Sequence, residues 1–159
     1  MANLKILTPQ TEDHAMNALL KSITRTHAGY GISLLRIVTG LTFAAHGSQK
    51  LFGWFGGYGL AGVAQWMESI GITPGYLMAA LAGSAEFFGG LALVVGLLVR
   101  PAAVSLLIAM LVAIVSVHWV NGFFITENGF EYAMILALIS AVLLIEGAGK
   151  LSLDRRIGA

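Results

Sequence analysis

Six ionisable residues lie in or beside long apolar segments, and their types could bind and protonate a small polar ligand. In chain order they are Arg36, His46, Lys50, Glu86, His118 and Glu131. Lysine, arginine and histidine donate hydrogen bonds to ligand oxygens, whereas glutamate and histidine can transfer protons. Because a charge in an apolar environment is costly unless it is paired, each of these residues should have a partner or a function.

Four long apolar segments must position these residues. They cover about residues 30–52, 74–99, 101–120 and 130–145. Each is near the roughly 20 residues that a helix needs to span a bilayer, although the fourth is the shortest. Charged residues make up only 11% of the chain and hydrophobic residues 57%, whereas soluble domains have about 25% charged residues. We therefore predict an all-α integral membrane protein, a four-helix antiparallel bundle with short amphipathic surface helices.

The composition also excludes several functions. The chain has no cysteine, so it cannot itself ligate an iron–sulfur cluster or use a thiol in catalysis. Its net charge of +1 gives no electrostatic attraction for nucleic acid. Neither a His-Glu-x-x-His motif nor a paired-carboxylate signature occurs, so no metal site is predicted. Because no apolar stretch lies near Met1, we expect no cleavable signal peptide.

Two shorter stretches have amphipathic helical spacing. Within residues 1–29, the apolar spacing indicates a helix on the membrane surface, with a poorly ordered tail as the alternative. Residues 53–73 contain a Gly-rich turn followed by a second surface helix near residues 60–70. Trp54 and Trp66 would anchor it at the interface. A re-entrant hairpin is the less favoured alternative, because it would bury a glutamate.

The basic residues indicate which side faces the cytoplasm. With four spans, seven of them lie on the side of the termini: Lys5, Lys21, Arg25, Arg100, Lys150, Arg155 and Arg156. Only Lys50 lies on the opposite side, so the positive-inside rule places both termini in the cytoplasm. Ionisable residues from several segments then converge on the outer half of the bilayer, whereas Arg36 lies in the inner half.

Glu86 is expected to face the bundle interior and to pair with a base from the first segment. Gly83 and Gly90 flank it at helical spacing, and small residues allow another helix to approach closely. Either Arg36 or Lys50 is the predicted partner: depth favours Lys50, but a long Arg36 side chain could also reach. Two structural alternatives stay open, an Arg36–Glu86 pair that fixes helix register and a Lys50 that extends to the outer surface.

Several motifs together resemble those of the DoxX family. They are Leu35-Arg36-Ile37-Val38-x-Gly40, His46-Gly47-x-x-Lys50-Leu51, Glu86-x-x-Gly89-Gly90, Gly96-Leu97-x-x-Arg100, Gly129-x-Glu131 and Gly147-x-Gly149-x-x-Ser152-x-Asp154. The resemblance covers about residues 30–156. We accordingly divide the chain into a cytoplasmic amphipathic segment at 1–29, a DoxX-like four-helix transmembrane domain at 30–156 and a C-terminal tail at 157–159.

This resemblance implies a small four-helix protein of the bacterial inner membrane. The family includes the small membrane subunit of archaeal thiosulfate:quinone oxidoreductase and proteins linked to quinone, thiol and oxidative-stress chemistry. Contact with the lipid bilayer is therefore expected. So is either a protein partner in a membrane complex or a homo-oligomer.

The favoured hypothesis is a membrane redox subunit that binds quinone. The cofactor-binding residues would be His46, Lys50, Glu86, His118 and Arg36, and the aromatic walls Phe43, Phe87 and Trp119. Glu86 and His118 would also be catalytic, because they can relay protons while cationic donors stabilise the reduced oxygens. A partner oxidoreductase would supply the electrons, because the chain has no evident redox centre of its own.

Three alternatives stay open. The first is a non-enzymatic membrane anchor or assembly subunit of a larger complex, in which the polar residues only fix the fold. The second is a small transporter, in which the same polar residues would line the transport path. The sequence shows no inverted repeat of the kind that transporters often have. The third is haem b bound by His46 and His118, which the chemistry allows but which we rank below quinone.

Overall fold

The computed structural model describes residues 29–157, and this part of the chain is helical, without a strand. Its helices are α1 (Tyr30–Phe52), α2 (Gly59–Ser69), α3 (Gly75–Val95), α4 (Val99–Ala113), α5 (Glu131–Glu146) and α6 (Leu153–Ile157). A π turn (Ile114–His118) and a 3-10 turn (Trp119–Asn121) prolong α4, and 3-10 turns also occur at Trp54–Gly56 and Ile125–Glu127. The all-α prediction is confirmed. The amphipathic segment predicted at 1–29 lies outside the described residues.

The helix bounds follow the predicted segments closely, with one exception. Residues 30–52 form α1, which ends at Gly53 in the left-handed conformation (φ 73°) that favours glycine. The second predicted segment reaches residue 99, but α3 ends at Val95. Gly96 (φ 76°) and Leu98 (φ 52°) are both left-handed there, so the chain turns before α4 begins.

Helices α1 and α3 pack with their backbones in close contact. A Cβ atom at Gly40 would lie 2.7 Å from the Gly90 carbonyl oxygen, and one at Gly90 would lie 2.6 Å from the Gly40 oxygen. Gly47 similarly lies against the backbone of Phe87. The prediction that glycines beside Glu86 admit a neighbouring helix is confirmed, and α1 is that helix.

An apolar core joins the four long helices. Phe43 of α1, Leu93 of α3, Leu106 of α4 and Leu143 of α5 belong to one cluster, and each is at most 1% exposed. A smaller cluster fixes α2 against the start of α3 through Val63, Ala64, Met67 and Ala79. The helix predicted near residues 60–70 is therefore confirmed as α2, with one face packed on the bundle. Its position at the membrane surface stays a prediction.

The beginning of α1 and the C-terminal tail lie at the same end of the bundle. The Lys150 amide donates a hydrogen bond to the Gly29 carbonyl at 3.1 Å. We call this the tail end, formed by residues 29–36, 93–100 and 145–157. The opposite end, formed by residues 46–72 and 110–133, is the loop end.

Two helices in the described part of the chain are long and apolar enough to cross a membrane. They are α3 and the continuous rod of α4 with its two turns, Val99–Asn121. Large apolar side chains point outward from them, for example Phe88 (60% exposed) and Ile108 (56% exposed). Helix α1 carries three basic residues and α5 has only 16 residues. That α1 and α5 also cross the membrane stays a prediction.

Candidate functional site: a polar cavity at the loop end

A cavity of about 440 Å³ opens at the loop end between α1, α2, α4 and α5. This volume lies in the roughly 300–1,000 Å³ range of small-molecule sites, which are mostly apolar with a few polar groups. The apolar lining includes Phe43, Met67, Met110 and Leu136, and the polar lining includes His46, Lys50, His118 and Tyr132. Three of the predicted site residues, His46, Lys50 and His118, therefore lie around one space.

His118 is oriented by a backbone carbonyl. Its Nδ1 atom lies 2.8 Å from the Asn128 carbonyl oxygen, to which the side-chain amide of Asn121 also donates at 3.3 Å. Because a carbonyl only accepts, Nδ1 carries the proton in this pair, and Nε2 is the ring nitrogen available to a ligand. The residue lies at the end of the π turn Ile114–His118, a helical irregularity that is frequent at functional sites.

Lys50 and Glu86 form a salt bridge at the edge of the cavity. The Lys50 Nζ and Glu86 Oε2 atoms are 2.5 Å apart, and the two side chains are 28% and 5% exposed. Of the two partners predicted for Glu86, Lys50 is the one that forms the salt bridge. Lys50 lines the cavity, whereas Glu86 lies behind it and reaches the cavity through Lys50.

Arg36 lies apart from this group, at the tail end. Its fully buried guanidinium donates to the carbonyls of Ala148 (3.0 Å), Val94 (3.0 Å), Leu151 (2.5 Å) and Leu93. The predicted Arg36–Glu86 alternative is therefore not formed, and the structure does not bring Arg36 to the cavity. The physical reason is distance along α1: Lys50 follows Arg36 by 14 residues, about 21 Å on an ideal helix.

The predicted aromatic walls are only partly those of the cavity. Phe43 lines it, but Phe87 packs edge-on against Phe52 with centroids 5.2 Å apart. Trp119 stacks on Phe130 at 5.3 Å instead. These two rings stabilise helix and loop contacts beside the cavity.

Tyr132 is a site residue that the sequence reasoning missed. It lies in the first turn of α5, lines the cavity and has its ring centroid 6.1 Å from that of His46. A tyrosine hydroxyl both donates and accepts hydrogen bonds. Its only sequence signal is its position directly after Glu131 at the end of an apolar segment. No three histidine or acidic side chains within residues 29–157 are grouped as a metal site.

A second, more open groove of about 780 Å³ lies on the other side of Lys50. Its lining is more polar and includes Gln49, Tyr58, Gln65 and Ser69, together with Lys50 and Trp66, which also line the cavity. Lys50 therefore lies between the apolar cavity and a polar groove at the loop end.

The comparison with protein families agrees with the motifs. The DoxX family model matches residues 31–119, more than half of the chain. The chain belongs to the DoxX family. The matched range begins in α1 and ends directly after His118, so it includes all five of the predicted site residues.

Several curated proteins are related to this DoxX chain. A Bacillus subtilis protein named "Putative oxidoreductase CatD" is 32% identical over 124 residues, 78% of this chain and 84% of that protein. A Mycobacterium tuberculosis protein named as an uncharacterized membrane protein is 36% identical over 135 residues, 77% of this chain and 78% of that protein. An uncharacterized Haemophilus influenzae protein is 40% identical over 65 residues, 41% of this chain and less than half (43%) of that protein. No solved structure matches the chain significantly.

Family membership and the membrane-protein relative indicate a membrane location, in agreement with the apolar helices α3 and α4.

Proposed function

We propose that the chain is a quinone-binding membrane subunit of a redox system, and that a quinone head group occupies the loop-end cavity. The observation that carries the proposal is the placement of His46, Lys50 and His118 around one largely apolar space. A quinone needs apolar walls for its ring and hydrogen-bond donors for its two carbonyl oxygens. The name of the CatD relative supports the redox class.

Each polar residue has a role in this proposal. His118 from α4 and His46 or Lys50 from α1 approach from two helices, so they would bind the two quinone oxygens. Reduction to quinol consumes two electrons and two protons. His118 would supply one proton, and the Lys50 ammonium, held in place by the Glu86 carboxylate, would supply the other. The polar groove beyond Lys50 gives water access for replacing that proton, and a partner oxidoreductase would supply the electrons.

The orientation of His118 distinguishes quinol from quinone. With Nδ1–H held by the Asn128 carbonyl, neutral His118 presents Nε2 as an acceptor, which suits a quinol hydroxyl. A quinone carbonyl needs a donor, so it binds the imidazolium form. Transfer of the Nε2 proton to the reduced oxygen therefore converts one bound state into the other without a change of partner.

We further propose that all four long helices of the domain at 30–156 cross the bacterial inner membrane with the tail end in the cytoplasm. The described tail end carries Arg100, Lys150, Arg155 and Arg156, whereas Lys50 at the loop end is paired with Glu86. The chain has no native cysteine, so single cysteines report accessibility cleanly. Ser69→Cys should react with an impermeant reagent in intact cells, and Arg156→Cys should react only after lysis. The reverse pattern would overturn the orientation.

A titration tests the quinone site. Purified protein is titrated with a quinone analogue, and thermal unfolding is measured in parallel. His46→Ala and His118→Ala should each weaken binding roughly ten- to a hundred-fold, because a hydrogen bond to a charged group contributes about 1.5–3 kcal/mol. Thr126→Ala, at the same end but outside the cavity lining, is the control and should leave the affinity unchanged.

A wild-type protein that binds no quinone, or two histidine variants with unchanged affinity, would refute the site. The anchor hypothesis would then take its place. One observation favours it: Arg36 and Asp154, both in motifs of the family type, bind backbone groups at the tail end. In that case, gentle purification should recover the chain with a protein partner and without quinone.

A further inference from the structure

We propose that the tail end holds the head group of an anionic phospholipid. A groove of about 520 Å³ lies where the C-terminal tail crosses the end of α3. Its lining combines the cations Lys150, Arg155 and Arg156 with the apolar side chains Val95, Leu151 and Leu153. This site lies at the opposite end from the quinone cavity and does not depend on it.

The tail that carries these cations is fixed to the bundle. The Asp154 carboxylate accepts hydrogen bonds from the amides of Leu98 (2.7 Å) and Val99 (2.9 Å), and its own amide donates to the Gly96 carbonyl at 2.9 Å. The Leu151 amide donates to the Ser33 hydroxyl at 3.0 Å. The backbone positions of the three cations are therefore set before a ligand arrives, which reduces the entropy cost of binding.

The lining of the groove has three cations and no carboxylate. Within residues 29–157, the salt bridge is that of Lys50 with Glu86 at the loop end, so no described carboxylate lies within salt-bridge distance of Lys150, Arg155 or Arg156. The neighbouring Asp154 uses both carboxylate oxygens on backbone amides. The Lys150 ammonium lies 5.0 Å from the centre of the Tyr30 ring, a contact that positions the charge without cancelling it.

The apolar half of the groove points to a lipid rather than to a free anion. Val95 ends α3, and the outward face of α3 continues from it through Leu91 and Phe88, which are 41% and 60% exposed. An acyl chain can lie along this face while its phosphate contacts the cations. A soluble phosphate would use the cations alone and would leave Leu151 and Leu153 in water.

Native mass spectrometry in detergent micelles tests the site. Wild type should retain phosphatidylglycerol in preference to phosphatidylcholine. Arg155→Gln with Arg156→Gln should weaken phosphatidylglycerol binding roughly five-fold for each charge removed, whereas Arg155→Lys with Arg156→Lys should retain it. Arg100→Gln is the matched control, because Arg100 is also at the tail end but donates to the Ile145 carbonyl at 3.2 Å and does not line the groove.

Three results would overturn the proposal. Equal retention of the two lipids by wild type would remove the requirement for an anionic head group. An equal loss in Arg100→Gln would mean that only general positive charge matters. Full displacement of the lipid by glycerol 3-phosphate would show a free-anion site instead, and Leu153→Ser should distinguish the cases by weakening lipid binding only. Thermal unfolding of each variant confirms that the compared proteins are folded.

Discussion

The two ends of the bundle use polar side chains in opposite ways. At the tail end, Arg36 is fully buried and its nitrogens donate to backbone carbonyls, while Asp154 accepts from backbone amides. At the loop end, His46, Lys50 and His118 border a cavity. Polar groups that are already satisfied hold the fold, whereas groups facing an open space can bind a ligand.

Residue type alone does not separate these roles. Arg36 and Lys50 lie on the same helix, are both basic and both belong to motifs of the family type. Arg36 reaches the carbonyls of Leu93 and Val94 in the last turn of α3, where helical carbonyls lack the usual donor four residues on. Lys50 pairs with the Glu86 carboxylate and lies between the cavity and the polar groove. The surroundings at each end of α1 therefore decide whether a cation fixes the fold or borders a site.

The largest expected effect follows from removing Arg36. Arg36→Ala removes the donor of the Ala148, Val94 and Leu151 carbonyls, whereas Leu93 keeps the Gly96 amide. Each hydrogen bond to a charged group contributes about 1.5–3 kcal/mol, so we expect a loss above roughly 3 kcal/mol in unfolding free energy. Arg100→Ala, which removes an exposed arginine with one carbonyl partner, should cost about 1 kcal/mol or less. Chemical unfolding in detergent measures both. Similar losses in the two variants would mean that the buried hydrogen bonds of Arg36 are not what stabilises the tail end.

A smaller effect is expected for the Lys50–Glu86 pair. Breaking a buried ion pair costs roughly 3–5 kcal/mol in soluble proteins, and Lys50 is still 28% exposed, so Glu86→Ala should cost about 3 kcal/mol or less. Lys50→Met combined with Glu86→Met should cost less than the sum of the single changes, because each single change leaves one charge unpaired. Additive losses in this double-mutant cycle would contradict the pairing.

Asp154 provides a test of intermediate size at the tail end. Its carboxylate accepts from the amides that begin α4, so it acts as an N-cap supplied from a distant part of the chain. Asp154→Ala should cost about 1–2 kcal/mol, and Asp154→Asn less, because the amide oxygen still accepts. Unfolding measurements on the two variants check this order. An equal loss in both would indicate that charge, rather than the hydrogen bonds, stabilises the helix start.

Local sequence patterns were sufficient to predict the helices. An apolar run predicts α1 at residues 30–52, amphipathic spacing predicts the helix near 60–70, and the glycines beside Glu86 predict its close neighbour. The apolar pattern places the end of α3 at residue 99, four residues too late. Leu97 and Leu98 continue the pattern, although the backbone turns at Gly96. Apolar character alone does not show where a helix stops when the connecting loop is also apolar.

The tail end could not be predicted in the same way. Arg36 bonds to Ala148, which is 112 positions away, and Asp154 bonds to Leu98, which is 56 positions away. Side-chain bonds to a distant backbone leave no pattern in the sequence, because any residue type supplies the carbonyl or amide. The cluster of His46, Lys50 and His118 was predictable from depth along each helix, but Tyr132 was not, since an aromatic residue at a helix end is usually structural.

The smallest expected effect concerns the protonation of His118. Its Nδ1 proton is held by the Asn128 carbonyl, so a quinone carbonyl can bind Nε2 only when the ring is protonated, whereas a quinol hydroxyl binds the neutral ring. Affinity for an oxidised quinone analogue should therefore rise as pH falls, by about three- to ten-fold, the equivalent of one ordinary net hydrogen bond of about 0.5–1.5 kcal/mol. Affinity for the quinol form should fall over the same range.

The other titratable groups at the cavity make a control necessary. His46, Lys50 and Tyr132 also line it, and Glu86 is paired with Lys50. His118→Gln should remove the opposite pH trends of quinone and quinol, because a glutamine side chain offers a donor and an acceptor that do not titrate. His46→Gln should retain them, since His118 keeps its carbonyl partner. If the opposite trends persist in His118→Gln, another group at the cavity is responsible for them. The hydrogen bond of His118 to Asn128 would then only fix the fold, as the hydrogen bonds of Arg36 do at the tail end.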